Sequence, residues 1–371
     1  MKNSFGHHIV TASPPGKSYK IHTGPDTLRH LPKLIIESGS YSRTCIICDE
    51  NVAKLYEPNL HSLLSSLPIP QAESFVFPPG ESSKSIHTLQ LCFRHLFNEK
   101  LDRDALIIAL GGGVTGDLAG FCAATFKRGI DYIQIPTSLL AQADASVGGK
   151  TAINFGPHKN AIGSFHQPAL VICDTDCLNT LPRRHLANGI AEIVKMGIIG
   201  DPALFDLLEQ TGNAMYNDAK NERSEAVFRS VKLKAEIVNN DPYEKFGRMV
   251  LNLGHTIGHA LESVTHFQRY LHGEAVALGM VSACVMAVEL KLAQPDLVDR
   301  LKKTLQALEL PILATGLNAN DILVHISHDK KRAANQNRWV IPMRIGNAKI
   351  VENLPESIIR AGLNAVIHRS V

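Results

Sequence analysis

The chain has 371 residues, 44% of them hydrophobic and 20% charged, which excludes a disordered polymer and is long enough for two domains. Its 38 Lys and Arg against 35 Asp and Glu leave a net charge of +3, so there is no global basic field of the kind a nucleic-acid binder uses, and a small-molecule ligand is expected. The start, MKNSFGHHIV, has no long apolar segment, and no apolar run is expected to approach the roughly 18 to 20 residues that span a bilayer. The chain therefore reads as cytoplasmic, with neither a membrane nor a nucleic acid as partner.

In chain order, short β-branched runs alternate with helical stretches: TCIICDE, a polar helix, the strand in ESFVFPPGE, the helix TLQLCFRHLFNEK, the strand DALIIAL and then a glycine-rich turn. Such alternation predicts βαβ units. IDYIQIP and ALVICDT add two buried strands, and from RRHLANGIAEIVKMGII onward the pattern is mainly helical. The expected organisation is an α/β domain over 1–180 and a mainly helical domain over 181–371, with Pro182 a plausible helix start. The seven cysteines, at 45, 48, 92, 122, 173, 177 and 284, sit mostly in apolar stretches and read as buried thiols. Cys45 and Cys48 form a C-x-x-C, but one that lies inside a strand and has no second C-x-x-C to match it.

DALIIALGGGVTGDLAG places a buried strand, then Gly111, Gly112, Gly113 and Gly116, then a helix expected to begin near Asp117. Glycines let a backbone approach a pyrophosphate, and the free N–H groups and dipole of the following helix hold the anion. The usual ribose-binding acid some 20 residues on is not clear, whereas Asp49 and Asn51 end an earlier strand and could serve the same end of a dinucleotide. SVGGKT at 146–151 resembles the end of a Walker A loop, but Asp144 stands where its first glycine belongs, so an NTPase is rejected. What remains is a glycine loop presenting Lys150, followed by Lys159 and Asn160 and preceded by Asp144 and Arg128, groups suited to a phosphorylated or carboxylated substrate.

EKFGRMVLNLGHTIGHALE reads as one helix. At 100° per residue Glu244, Arg248, Asn252, His255 and His259 fall within about 80° of one another, a polar stripe on an apolar helix. Gly247, Gly254 and Gly258 weaken the helix locally but permit close approach of backbone or ligand. His255 and His259 at i, i+4 can share a metal, with Glu192 in GIAEIVKMG and His272 in YLHGEAVALGM as two further candidates, and zinc is favoured by the ligand types.

GGGVTGDLAGF, RGIDYIQIPTSLLAQADASVGGKTAIN, KNAIGSFHQP, GIAEIVKMG, NLGHTIGHALE and LHGEAVALGM together resemble the 3-dehydroquinate synthases and their sugar phosphate cyclase relatives. The resemblance runs from about Asp49 to Lys331 and implies an NAD-binding α/β domain, a mainly helical domain, a cleft between them and a homodimer. It implies a divalent metal, zinc or alternatively cobalt, on Glu192, His255 and His272, with His259 a catalytic neighbour. It also implies NAD on Asp49, Asn51, Glu81, Lys84, Gly111, Gly112, Gly113, Val114, Asp117, Thr137, Ser138, Lys159 and Thr180. Asp144, Lys150, Asn160, Lys195, Lys234, Arg248, Asn252 and Lys331 would surround the substrate, and Arg128 would reach its phosphate, across the dimer interface in one arrangement. The implied reaction takes 3-deoxy-D-arabino-heptulosonate 7-phosphate through oxidation at C4, phosphate elimination, reduction, ring opening and aldol closure.

Relatives in the resembled family accept sedoheptulose 7-phosphate, glucose 6-phosphate or an amino analogue. NFGPHKN, RRHLANG and Met196 resemble the valiolone-type members, whereas His259 and the potential carboxylate pocket of Lys150, Arg248 and Asn252 resemble dehydroquinate synthase. A metal-dependent alcohol dehydrogenase of the iron type would share the two domains and H-x-x-x-H, but the Lys and Arg around the expected site favour a phosphorylated substrate. A purely NAD-sensing or scaffold role would require a broken metal stripe, and the stripe is intact.

Overall fold

In a computed structural model, residues 7–156, 158–217, 219–245, 247–332 and 338–368 are described, without the side chains of 327–332. The chain divides into a first unit of Met1–Leu181 with Lys234–Tyr243 and a second of Pro182–Leu233 with Glu244–Val371. A single break near 180 does not account for Lys234–Tyr243, which returns to the first unit.

The first unit is a seven-stranded sheet. Its strands are β1 (His8–Ala12), β2 (Tyr19–Gly24), β3 (Thr44–Asp49), β4 (Phe75–Phe77), β5 (Leu106–Gly111), β6 (Asp131–Pro136) and, after a separate hairpin of β7 (Lys150–Phe155) and β8 (His158–Phe165), β9 (Leu170–Asp174). The order is β1-β2-β9-β6-β5-β3-β4, parallel except for β1 against β2. The strands read from β-branched runs are all present. Helices α1 (Leu31–Ser38), α2 (Glu50–Leu64), α3 (Ile86–Asn98) and α4 (Gly113–Thr125) connect them.

Two apolar clusters cover the two faces of the sheet, and they separate the C-x-x-C pair: Cys45 and Ile47 belong to one cluster, Ile46 and Cys48 to the other. Side chains three apart on a strand point to opposite faces, which removes the redox or zinc reading of this pair. All seven cysteines are buried and free. Helix α4 begins at Gly113, with Gly112 as its N-cap, not near Asp117; Asp117 lies one turn inside it. The glycine loop expected before Lys150 is present over 146–149, and Lys150 itself opens the antiparallel hairpin β7–β8.

The second unit contains α5 (Arg183–Ile199), α6 (Pro202–Thr211), the first part of α7 (Lys220–Asn240), α8 (His255–Val264), α9 (His272–Glu289), α10 (Asp296–Ala307), α11 (Ala319–Arg332) and α12 (Glu356–Asn364). It also has a two-stranded parallel pair, β10 (Ala314–Thr315) with β13 (Ile367–His368), and a hairpin of β11 (Arg338–Arg344) and β12 (Asn347–Glu352). α9 packs against α5, α8 and α12. Contrary to the expectation that no apolar run approaches membrane-spanning length, its 18 residues have a mean hydropathy of 1.2, and 72% of that window is buried inside the fold. The continuous helix expected over 244–262 is also corrected. Gly247–Asn252 is a 3-10 helix, Gly254 turns at φ +79°, and only then does α8 begin at His255.

His22 of β2 is 3% exposed, and among the described residues its Nε2 has no hydrogen-bond partner. Burial, then Lys20 and to a lesser degree His7 and His30, holds its imidazole down at about 4 against the opposing pull of Glu37. The folded state thus binds fewer protons here than the unfolded chain. The neutral ring's contribution is complete above about pH 6.5 and is lost as pH falls toward 4. We expect about 2 kcal/mol of stability to be lost from this group between pH 7.5 and 5. Urea midpoints of wild type and His22→Leu measured at both pH values should show a smaller acid shift in the variant; equal shifts would remove His22 as the cause.

Candidate active site

In the first unit, the chain leaves β3 toward β4 on one side of the sheet order and leaves β5 toward β6 on the other. The adjacent carboxyl ends of β3 and β5 are therefore a topological switch point, where open α/β sheets take up ligands. Asp49 ends β3 and Gly111 ends β5. Asp49 caps α2, accepting the N–H groups of Asn51 and Val52 at 2.9 and 3.1 Å, and Asn51 itself is exposed. No side chain caps α4, so its first N–H groups, from Gly113 and the partly buried Val114 onward, remain for an anion. A Cβ on Gly112 would stand 3.3 Å from Ser138 Oγ, so the turn is a cradle that a side chain would crowd. These features fit a dinucleotide pyrophosphate.

Most of the other candidates of this unit lie at the same carboxyl edge. After β4, Lys84 is buried and bonds both Asp117 Oδ2 and Asn160 Oδ1. Burial pushes the Asp117 carboxyl up, against the pull of Lys84. Glu81 Oε1 accepts from Asn154 Nδ2 at 2.8 Å, and Asn154 Oδ1 accepts the N–H of Asn160 at 2.8 Å, so the hairpin is tied to the segment after β4. After β6, the N–H of Thr137 donates to Gly111 O at 3.0 Å, and Ser138 Oγ accepts the N–H of Ala141 at 3.3 Å. Thr180, following β9, bonds the Tyr56 hydroxyl. Gln142, not singled out from sequence, is fully buried and donates to Pro136 O at 3.0 Å and Asp174 O at 2.7 Å, joining the ends of β6 and β9. A π-helical turn over Ala141–Ala145 carries Asp144, and Lys234 lies 2.8 Å from its Oδ1 and donates to its carbonyl. Lys150 and Lys159 are exposed on the hairpin, whereas Arg128, exposed at φ +73°, lies just before β6 and so at the amino edge of the sheet, away from the other candidates of this unit.

In the second unit, Asn188, Glu192 and Lys195 lie within about 60° around α5. Glu192 is 1% exposed, and among the described residues neither carboxylate oxygen has a well-formed hydrogen bond. Its neighbours are the Lys195 ammonium, in contact with Oε2, and two imidazoles: His255 Nε2 at 3.7 Å and His272 Nε2 at 3.5 Å from Oε1. The three ligand atoms lie within 4.8 Å of one another. Burial alone would raise Glu192, but Lys195 and the two histidines hold it well below the usual carboxylate range. Burial holds His255 down at about 3 despite Glu192. His272, which burial would lower, is raised to about 10 by Glu192 and Glu262. A buried carboxylate with two nitrogen donors and no satisfying hydrogen bond fits a divalent cation.

Close backbone packing brings these ligands together. Gly254 precedes His255, and a Cβ on Gly279 of α9 would overlap the Gly254 carbonyl. Beside His272, the Gly273 N–H donates to Asn188 Oδ1 at 2.6 Å, and its Cα abuts the Asn188 carbonyl. Of the glycines noted from sequence, a Cβ on Gly258 would stand 3.3 Å from the α9 backbone, whereas one on Gly247 would meet nothing within 4 Å among the described residues. His259 is exposed, its ring 5.4 Å from His255 and 5.9 Å from His272. Arg248 is buried, and Asn252 Nδ2 donates to Glu244 Oε1 at 2.9 Å. The side chain of Lys331 lies outside the described residues.

Residues 74–188 match the family model for the 3-dehydroquinate synthase N-terminal domain, and 189–332 that for its C-terminal domain. A 3-dehydroquinate synthase of Thermoanaerobacter sp. (strain X514) is 39% identical over 95% of this chain and 99% of its own length. Another, of Rhodospirillum rubrum (strain ATCC 11170 / ATH 1.1.1 / DSM 467 / LMG 4362 / NCIMB 8255 / S1), is 42% identical over 97% and 95%. A solved structure of the 2-epi-5-epi-valiolone synthase ValA from Streptomyces hygroscopicus subsp. jinggangensis 5008, with NAD+ and Zn2+ bound, superposes with a TM-score of 0.86 at 28% identity over 95% of this chain and 98% of that one. The chain belongs to the 3-dehydroquinate synthase family, a class of sugar phosphate cyclases.

If the glycine contact sets the ligand spacing, Gly279→Ala should lower metal content after dialysis together with the thermal midpoint, since overpacking costs about 1–3 kcal/mol. Gly247→Ala should change neither. Full metal retention in Gly279→Ala would show that the α8–α9 contact does not position His255.

Proposed function

We propose that this protein is a 3-dehydroquinate synthase, converting 3-deoxy-D-arabino-heptulosonate 7-phosphate to 3-dehydroquinate with loss of phosphate, a carbon–oxygen lyase reaction. The observation that carries the reading is the buried Glu192 carboxylate facing His255, His272 and Lys195, in a chain 39–42% identical to 3-dehydroquinate synthases over nearly its whole length.

Glu192, His255 and His272 would hold the metal, with zinc proposed for a donor set of one carboxylate and two imidazoles, and cobalt as the alternative. Asp49, Asn51, Glu81, Lys84, the Gly111–Val114 turn, Asp117, Thr137, Ser138, Lys159 and Thr180 would hold NAD. Bound NAD would supply a hydride acceptor and donor returned to its starting state in each turnover, and the metal a Lewis acid for the substrate's oxygens. The chain's own groups then divide by charge and burial. Lys84 keeps Asp117 and Asn160 together at the mouth of the cradle. Lys234 holds Asp144 at both its carboxylate and its carbonyl, so the acid is presented in one orientation. Lys195 fixes the second oxygen of Glu192, leaving the first toward the imidazoles. His259, more exposed than the proposed ligands, would act as a proton-transfer group beside them. Lys150, Asn252 and Lys331 would contact the substrate, and Arg128 its phosphate, in a homodimer located in the cytoplasm. No nucleic acid or membrane enters the reading.

Substrate choice rests on Arg248. A buried guanidinium offers a planar fork that matches a carboxylate, and the heptulosonate carries one where sedoheptulose 7-phosphate and glucose 6-phosphate do not. A charge-assisted hydrogen bond contributes about 1.5–3 kcal/mol, roughly 10- to 150-fold in rate. Phosphate release from the heptulosonate should therefore exceed that from both other sugars, Arg248→Ala should narrow the gap, and no NADH should accumulate at 340 nm. Faster release from sedoheptulose 7-phosphate would transfer the assignment to the valiolone-type cyclases, and stoichiometric NADH to the alcohol dehydrogenases.

A further inference from the structure

His255 and Glu262 are seven residues apart on α8, which places them within about 20° around the helix axis. Both are aimed at the surroundings of His272. The two nitrogens of that ring face two different carboxylates: Nε2 is 3.5 Å from Glu192 Oε1, and Nδ1 is 3.5 Å from Glu262 Oε2. His255 is arranged in parallel, with Nε2 toward Glu192 and Nδ1 3.1 Å from the Leu253 carbonyl. Each imidazole therefore has one nitrogen toward Glu192 and an oxygen acceptor behind the other. Glu262 is 6% exposed, and burying a carboxylate is costly unless a donor or cation compensates it.

We propose that Glu262 is a positioning residue of the metal centre: its carboxylate accepts the Nδ1–H of His272, turns the Nε2 lone pair toward Glu192 and His255, and so sets the affinity for a divalent cation. This rests on reading Glu192, His255 and His272 as the ligands. Outer carboxylates of this kind fix the tautomer and orientation of a ligating histidine and strengthen it as a donor. A rival use of the same groups exists, because ligand atoms of His259, Glu262 and His272 also lie within 4.8 Å of one another. A second cation there, together with the first, would require His272 to give a nitrogen to each and to lose its last ring proton. A single N–H to Glu262 demands no such deprotonation.

The test is a competition titration of Zn2+ against a chromophoric chelator at fixed pH, with the visible spectrum of the Co2+-loaded protein, for wild type, Glu262→Gln, Glu262→Leu and Glu192→Gln. Wild type should bind one cation tightly and Glu192→Gln should not. Glu262→Leu should weaken binding by about 10- to 100-fold, Glu262→Gln by less because its amide oxygen still accepts, and both should alter the Co2+ bands. If Glu192→Gln binds like wild type, the ligand reading falls and this inference with it. If only Glu192→Gln loses the metal, and the Glu262 variants keep wild-type affinity and spectrum while melting earlier, Glu262 is merely structural and this inference alone is overturned. A second wild-type equivalent lost selectively in the Glu262 variants would make Glu262 a ligand and also overturn it. Should the Leu variant not fold, 15N–1H spectra of zinc-loaded wild type decide: a retained Nδ1 proton on His272 supports the proposal, and ligation through Nδ1 contradicts it.

Discussion

The second unit depends on the burial of one carboxylate. Removing Glu192 from water costs several kcal/mol that only cationic or metal neighbours offset, and three elements supply them: Lys195 from its own helix, His255 from α8 and His272 from α9. Those helices can approach only where side chains are missing. Gly279 meets the Gly254 carbonyl and Gly273 meets Asn188, so the small residues of α9 follow from the electrostatic need of Glu192. The apolar character that makes α9 resemble a membrane span has the same origin, since a helix packed against α5, α8 and α12 has little surface left for polar groups.

The first unit obeys a topological constraint in place of an electrostatic one. Divergence of the chain after β3 and β5 opens the carboxyl edge of the sheet, and nearly all the candidate NAD contacts fall there because every parallel strand delivers its following loop to that edge. Lys84, bound to Asp117 of α4 and Asn160 of the hairpin, joins three segments that are far apart in sequence. Its burial makes the pair more than a surface ion bridge.

Much of this was legible in the chain itself. Buried parallel strands are continuous β-branched runs, and β3, β5, β6 and β9 stand out for that reason. β1 is an edge strand, β2 is buried between β1 and β9 but polar in sequence, and β8 is exposed along almost all its length, so none of the three carries a hydrophobic period. The polar stripe over Glu244–Glu262 rested on a geometry the structure does not have. The left-handed turn at Gly254 separates the 3-10 segment from α8, and Asn252 meets Glu244 all the same. Helical periodicity also places His259 beside His255 without separating the two, whereas in the structure His255 is half-buried and His259 exposed. Glu262 was visible only as the last residue of a motif, since nothing local reveals that its partner is His272.

The account turns on whether Glu192, His255 and His272 hold one cation. Anomalous diffraction at the zinc absorption edge, from crystals of the protein loaded with one equivalent of Zn2+, measures this directly. The account predicts a single strong peak about 2.0–2.2 Å from a Glu192 oxygen and from Nε2 of both histidines. A peak elsewhere, or none, with Glu192 still facing Lys195 alone, would contradict it.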